Sequence, residues 1–346
     1  MKRITINLCL VLCGLLLASL FTSTAHAAPG RQPNILVIFA DDQGWVDTGY
    51  NGKGFIETPN LDRLAKEGMV FTSGYAAAGN CQPSRACLYS GNYTPRHHVF
   101  AVASTDRGPK NLMRMIPIPN KSGLPVDNIT IGDAMKAGGY ATGHFGKWHL
   151  GGGPEGASPK EQGFDVVVDG PMHNAKDPKS IYKLTEAACD FMEKNKNKPF
   201  FCFVSHHAIH TRLEARGETL AKFKEKKEKV DSPIAPVYAG CTYDLDDGVG
   251  ILMKKLKELG LEENTLVLYT SDNGGTPASP QEPLRGNKGG YYEGGIREPF
   301  IVRWPGVVKP GSTCDVPVIN IDMYPTFLAA AGLDVHKGKV LDEESR

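Results

Sequence analysis

Asn34–Ala40 reads Asn-Ile-Leu-Val-Ile-Phe-Ala, an unbroken apolar run of strand length. A run with no polar alternation predicts a strand buried on both faces. Phe200–Ser205 and Thr265–Thr270 repeat the pattern, and Tyr140–His144 and Phe300–Arg303 are shorter versions of it. Between these runs the apolar spacing lengthens to that of a helix. Leu61, Leu64 and Ala65 share one face of a helix predicted over Thr58–Gly68, with Gly68 as its stop. Helices over Thr130–Gly138, Ser180–Asn195, Val237–Gly260 and Asp322–Ala331 follow from similar spacing. Lys222–Lys229 mixes both signs of charge and reads as a solvated helical face. Alternating strands and helices predict an α/β fold with a mainly parallel central sheet and helices on both faces.

The first 27 residues have a different pattern. Lys2 and Arg3 precede an apolar stretch, Ile4–Phe21, and Ala25-His26-Ala27 is a small-x-small cleavage site. This is the layout of a secretory signal, with a membrane anchor as the alternative. The stretch is short for a span and ends in a cleavage-like site. The expectation is therefore residues 28–346 as one catalytic domain, periplasmic or secreted, with no stable membrane span after cleavage. Losing Lys2 and Arg3 moves the formal net charge from +1 to −1. That leaves no strong field for nucleic acid or an anionic membrane. Six cysteines remain: Cys81, Cys87, Cys189, Cys202, Cys241 and Cys314. Their spacings fix no connectivity, and no CxxC pair is present to suggest a zinc-thiolate site.

Enzymes built on parallel sheets place their sites beyond the carboxyl ends of the strands. Here the strand at Asn34–Ala40 runs into Asp41-Asp42, and the Thr265–Thr270 strand runs into Ser271-Asp272-Asn273-Gly274. Phe200–Ser205 leads to His206-His207-Ala208-Ile209-His210, and the strand near Tyr140 leads to Gly146-Lys147-Trp148-His149. Asp41, Asp42, Asp272 and Asn273 offer hard oxygen ligands, which suit Ca²⁺ or Mg²⁺ rather than zinc. Adjacent Asp residues in a continuing strand would face opposite ways. Both reach one ion only if the strand ends there, and Gly44 permits a turn. Lys147 and His149, two apart in an extended segment, would point together while Trp148 faces the packing. Lys288 sits in Arg285-Gly286-Asn287-Lys288-Gly289-Gly290, where glycine allows close approach to a ligand.

The run Cys81-Gln82-Pro83-Ser84-Arg85-Ala86-Cys87-Leu88-Tyr89-Ser90-Gly91 carries the sharpest chemistry. Pro83 suits a first helical turn, which puts Cys81 at a helix N-terminus, where the dipole favours negative charge. Arg85 adds a fixed cationic fork suited to a tetrahedral oxyanion. A nucleophile aimed at a phosphate- or sulfate-like group is the reading.

With these residues assembled, the chain from about Asn34 to Leu333 resembles the type I sulfatases of the alkaline phosphatase superfamily. Four ordered segments carry the resemblance: Cys81-x-Pro-Ser-Arg-x-x-Leu-x-Ser-Gly; Gly143-His144-Phe145-Gly146-Lys147-Trp148-His149-Leu150-Gly151; Ser271-Asp272-Asn273-Gly274; and Lys288 followed by Tyr292-Glu293-Gly294-Gly295-Ile296-Arg297-Glu298-Pro299. The resemblance implies an alkaline-phosphatase-like fold. It implies that a maturation enzyme converts Cys81 to formylglycine (3-oxoalanine), whose hydrate attacks sulfur and later expels sulfate. It implies a Ca²⁺ site, ahead of Mg²⁺, at Asp41, Asp42, Asp272 and Asn273 together with the modified Cys81. Arg85 then steadies the hydrate and His149 is the base for its collapse. Lys147, His210 and Lys288 bind sulfate oxygens, and the resemblance implies that His210 or Lys288 protonates the leaving oxygen. Ile209 departs from the pattern, since a Pro usually precedes this His.

Relatives commonly continue into a small antiparallel sheet with a helix, and the resemblance leads to the expectation that this subdomain is missing after about Val335. The substrate expected is an aryl or carbohydrate sulfate. A phosphate or phosphonate ester hydrolase on the same scaffold, or an inactive binder of sulfated glycans, stand as alternatives.

Overall fold

The computed structural model describes residues 32–345 apart from 53, 107, 152–155, 172 and 175. The signal predicted over the first 27 residues lies outside the described residues.

The strands in chain order are β1 (Asn34–Ala40), β2 (Met69–Phe71), β3 (Gly74–Tyr75), β4 (Ala141–Gly146), β5 (Val166–Val168), β6 (Phe200–Ser205), β7 (Thr265–Ser271), β8 (Ile301–Arg303), β9 (Ser312–Cys314) and β10 (Val318–Ile319). The helices longer than one turn are α1 (Pro59–Glu67), α2 (Cys81–Ser90), α3 (Ile131–Ala137), α4 (Ile181–Lys194), α5 (Gly217–Lys229), α6 (Pro236–Glu258) and α7 (Met323–Ala331). Eight strands form one sheet in the order β5-β4-β6-β1-β7-β8-β2-β9, and β3 and β10 form a separate parallel pair. β1 lies between β6 and β7, parallel to both, with Ile35 opposite Phe201 and Leu266. Only β8 runs against its neighbours, β7 and β2. The fold is the expected α/β architecture with a mainly parallel sheet.

The apolar run of β1 acts as its composition predicts. Leu36, Ile38 and Ala40 enter one core cluster, which includes Ile181 and Ala188 of α4 and Leu245, Val249 and Leu252 of α6. Ile35, Val37 and Phe39 enter the cluster on the other face, with Leu88 and Tyr89 of α2 and Phe327 and Leu328 of α7. Each of the Leu, Ile, Val and Phe side chains stabilises the fold by about 1.5–3 kcal/mol on burial. This two-sided packing fixes where β1 ends, and so where Asp41 begins. α2 stops at Gly91, whose φ of 63° is left-handed and whose N–H donates to the carbonyl of Cys87.

Five strands of two or three residues, β2, β3, β5, β9 and β10, are too short to carry a period. They had no counterpart in the hydrophobic pattern. The six cysteines of the described residues are all free, five of them buried. No helix among the described residues is long and apolar enough to cross a membrane.

Candidate active site

The carboxyl ends of β1, β4, β6 and β7 meet at one edge of the sheet. The Asp41 amide donates to the Ala208 carbonyl at 2.8 Å, and the Ile209 amide donates to the Asp41 carbonyl at 2.6 Å. These bonds stitch the β6 loop to the end of β1. The Lys147 amide donates to the Ser205 carbonyl at 2.8 Å, which ties β4 to the same place. From β7, the Asp272 carboxylate accepts the Asp42 amide at 3.0 Å.

Asp41 and Asp42 do reach one site, but not through a turn at Gly44. The left-handed residue is Asp42 itself, with a φ of 72°. Aspartate tolerates that region better than most residues, because its short polar side chain bonds locally. Gly44 instead makes room for the end of the Gln281 side chain, whose Oε1 would lie 2.1 Å from a Cβ there. His149 likewise sits at a φ of 64°, so the segment is not extended as the spacing argument assumed. Trp148 does face the packing, beside Tyr89.

Each carboxylate meets a cation. Lys147 Nζ lies 2.8 and 2.7 Å from the two oxygens of Asp41. Lys288 Nζ lies 2.6 Å from Asp42 Oδ1 and 2.7 Å from Oδ2. Arg85 Nε donates to Asp272 Oδ2 at 2.8 Å, and Arg85 Nη1 donates to the Lys147 carbonyl at 2.9 Å and to Ser205 Oγ at 2.6 Å. Arg85 is wholly buried, and its fork is directed at Asp272, Lys147 and Ser205. Burial pushes the Asp41 carboxyl up, yet Lys147 and Arg85 outweigh it and hold it below the usual range. Burial and the neighbouring Asp41 raise Asp272, with Arg85 and Lys147 opposing.

Cys81 begins α2 and its Sγ lies among the carboxylates. Sγ and oxygens of Asp41 and Asp272 are all within 4.8 Å of one another. The helix start is where the sequence placed it, but the thiol is not favoured as a thiolate. Burial, then Asp272, pushes it up, and Lys147 and Lys288 only partly offset this. An unmodified thiol here stays protonated and is a weak nucleophile.

Asn273 donates from Nδ2 to Asp42 Oδ1 at 2.9 Å and to the Gly274 carbonyl at 2.9 Å. Its Oδ1 is buried without a partner. A buried amide oxygen left unpaired beside three carboxylates is a fitting ligand for a hard cation.

Three histidines compete at the β6 end, and geometry separates them. His206 is fully buried, and His207 bonds Asp169 at 2.7 Å. Only His210 faces the carboxylates, with Nε2 3.9 Å from Asp42 Oδ2. Its Nδ1 lies 2.6 Å from the Thr211 carbonyl, so Nδ1 carries the proton. His149 Nδ1 is buried without a partner. Burial, with Lys147 and Arg85 adding to it, drops its pKa to about 3, so the imidazole is neutral.

Two neighbours of the site were not among the residues the sequence singled out. Ser205 receives Arg85 and donates to the Lys147 carbonyl at 2.8 Å. Glu298 is buried, its carboxyl pushed well up by burial and by Asp272, and it accepts Thr270 Oγ1 at 3.1 Å. Glu298 does lie inside the fourth quoted segment, which was the available clue.

Fold and cluster define a class: an α/β enzyme whose parallel strand ends gather carboxylates and cations around one helix start, as an oxyanion ester would need. Comparison with known proteins narrows it. A family model described as Sulfatase matches residues 33–333, and the chain belongs to the sulfatase family, whose members are sulfuric ester hydrolases. It is 32% identical to human arylsulfatase A over 90% of this chain and 67% of that one. It is 31% identical to a sulfatase of Formosa agariphila over 97% of this chain and 75% of the relative. Among solved structures, Ps i-CgsB superposes with a TM-score of 0.77 at 34% identity, covering 91% of this chain and 75% of that one. The same protein is also solved with k-i-k-neocarrahexaose.

Proposed function

We propose that this chain hydrolyses an aryl or carbohydrate sulfate through a formylglycine made from Cys81, beside a Ca²⁺ ion held by Asp41, Asp42, Asp272 and Asn273. The observation that carries the reading is Cys81 Sγ lying within 4.8 Å of carboxylate oxygens of both Asp41 and Asp272. A residue there touches both the ion's ligands and the reacting group.

Bound Ca²⁺ supplies Lewis-acid stabilisation of charge on a sulfate oxygen. Ca²⁺ is favoured over Mg²⁺ because the donor set is several carboxylates and an amide oxygen, without the few-ligand, water-rich layout Mg²⁺ prefers. The chain's own residues do the rest. Arg85 positions Asp272 and, through the Lys147 carbonyl, the start of the Lys147–His149 segment. Lys147, Lys288 and His210 stand where sulfate oxygens would be received. His149, neutral with an unpaired Nδ1, accepts the proton whose loss expels sulfate. A formylglycine-generating enzyme is the implied partner, and export to the periplasm or medium the implied location.

The test is made on protein co-expressed with a maturation enzyme. The Cys81 peptide is expected to lose about 18 Da relative to the thiol, and aryl sulfate is expected to be turned over. Cys81→Ala is expected to abolish sulfate release. A peptide that stays wholly thiol in active protein would sink the mechanism. Faster turnover of the matched aryl phosphate would favour the phosphate ester reading instead.

A further inference from the structure

We propose that the turn Arg285–Tyr292 is a saccharide subsite at the rim of this site. Tyr291 stacks on a sugar ring, and Arg285 receives a second sulfate group on the same chain. The inference rests on the sulfatase reading and names the substrate as a multiply sulfated oligosaccharide.

The turn is anchored to the reacting centre. The Lys288 amide donates to the Gly275 carbonyl at 2.8 Å, just after the Asp272-Asn273 pair. The Gly289 amide donates to the Gly79 carbonyl at 2.7 Å, two residues before Cys81. Lys288 thus reaches Asp42 from a turn whose next residues rise beside the start of α2. The Gly294 amide closes the turn onto the Arg285 carbonyl at 2.8 Å.

On this frame stand two exposed rings. Tyr291 is 70% exposed and Tyr292 53% exposed. The Arg285 guanidinium lies 3.8 Å from the centre of the Tyr292 ring. Gly286 turns the chain here at a φ of +81°, a left-handed conformation that glycine adopts without strain. Stacking fixes the guanidinium without neutralising it, and no carboxylate pairs with Arg285 among the described residues. Glu293, which follows the turn, is engaged by Tyr75 and Arg297.

A single exposed tyrosine needs no explanation. An exposed tyrosine adjoining in sequence the ring that carries a stacked, unpaired guanidinium, within a few residues of an anion-facing lysine, has a specific ligand chemistry. Aromatic faces take the apolar faces of sugar rings, and a planar guanidinium takes sulfate through two parallel hydrogen bonds. Stacking on Tyr292 holds the guanidinium in place, which lowers the ordering cost of binding at Arg285. An aryl sulfate carries no second sulfate for Arg285 and no sugar ring for Tyr291.

The test compares kcat/KM on three probes: an aryl sulfate, a monosulfated disaccharide and a multiply sulfated oligosaccharide. Tyr291→Ala is expected to lower the ratio of saccharide to aryl sulfate kcat/KM about tenfold, through KM, while Tyr291→Phe keeps it. Arg285→Gln is expected to lower the ratio of multiply sulfated to monosulfated substrate and to flatten its salt dependence. Ratios that stay unchanged in both variants overturn the subsite. So does turnover of aryl sulfate with none of either saccharide. Failure of the matured wild type on all three probes overturns the sulfatase reading itself.

Discussion

Arg85 is the residue whose position most changes how the site is understood. As a sequence feature it is a cation beside a nucleophile. In the structure it is fully buried and ion-paired, with Asp272 Oδ2 2.8 Å from both Nε and Nη2. Truncating one partner of such a pair strands the other charge, a cost of about 3–5 kcal/mol. Arg85→Ala is therefore expected to lower the urea midpoint sharply. Arg85→Lys keeps the charge but loses the fork to Ser205 and the Lys147 carbonyl. It is expected to fold and to lose about 10–100-fold in sulfate release, as when a group that orients a ligand is removed. Near-normal turnover in Arg85→Lys would show that charge alone suffices. Residues such as Asp41, Asp272 and Asn273 stood out because parallel strand ends gather chemistry and two long apolar runs each end in oxygen donors. Ser205 did not: serine is common, and its bond to Arg85 spans a sequence separation of 120.

Elements were legible in proportion to their length and burial. β1, β6 and β7 are wholly buried, and each was visible as an apolar run. β2 has three residues of intermediate burial and no pattern to read. The start of α1 shows a different limit. Thr58 stands in the N-cap position without a side-chain cap bond. The cap comes instead from Asp246 of α6, which accepts the Asn60 amide at 3.0 Å and the Leu61 amide at 2.7 Å. Burial raises Asp246 to about 6, despite these bonds. The unfolded value is about 3.9, so the folded state holds the proton longer. Its contribution is fully present below about pH 4 and is lost as pH rises through about 6, an effect of about 2–3 kcal/mol. Asp47, also raised to about 6 by burial, acts in the same direction. Asp246→Asn is expected to flatten the fall in denaturation midpoint between about pH 4 and pH 6, while lowering stability through the lost cap bonds. An unchanged slope would mean that Asp246 does not titrate in that window.

At the scale of the molecule, the side-chain charges at the site balance one another. Three carboxylates, Asp41, Asp42 and Asp272, face three cations, Lys147, Lys288 and Arg85. This bears on what holds the fold together. The two apolar clusters on either face of β1 do not depend on an ion, and neither do the bonds joining the strand ends. The proposed Ca²⁺ would add to a neutral cluster, releasing Lys147 and Lys288 from the carboxylates to face sulfate. Removing it returns each lysine to its acid instead of leaving bare buried charges, which are costly. Chelation is thus expected to abolish sulfate release while cooperative unfolding persists. Restoring Ca²⁺ to about 100 times its Kd would stabilise by about 2.7 kcal/mol, or roughly 4 °C in Tm for a domain of this size. Calorimetry with and without chelator, run beside a sulfate-release assay, measures both quantities. Unaltered turnover after exhaustive chelation would remove the ion from the mechanism. Loss of cooperative unfolding would show instead that the lysines cannot neutralise the cluster unaided.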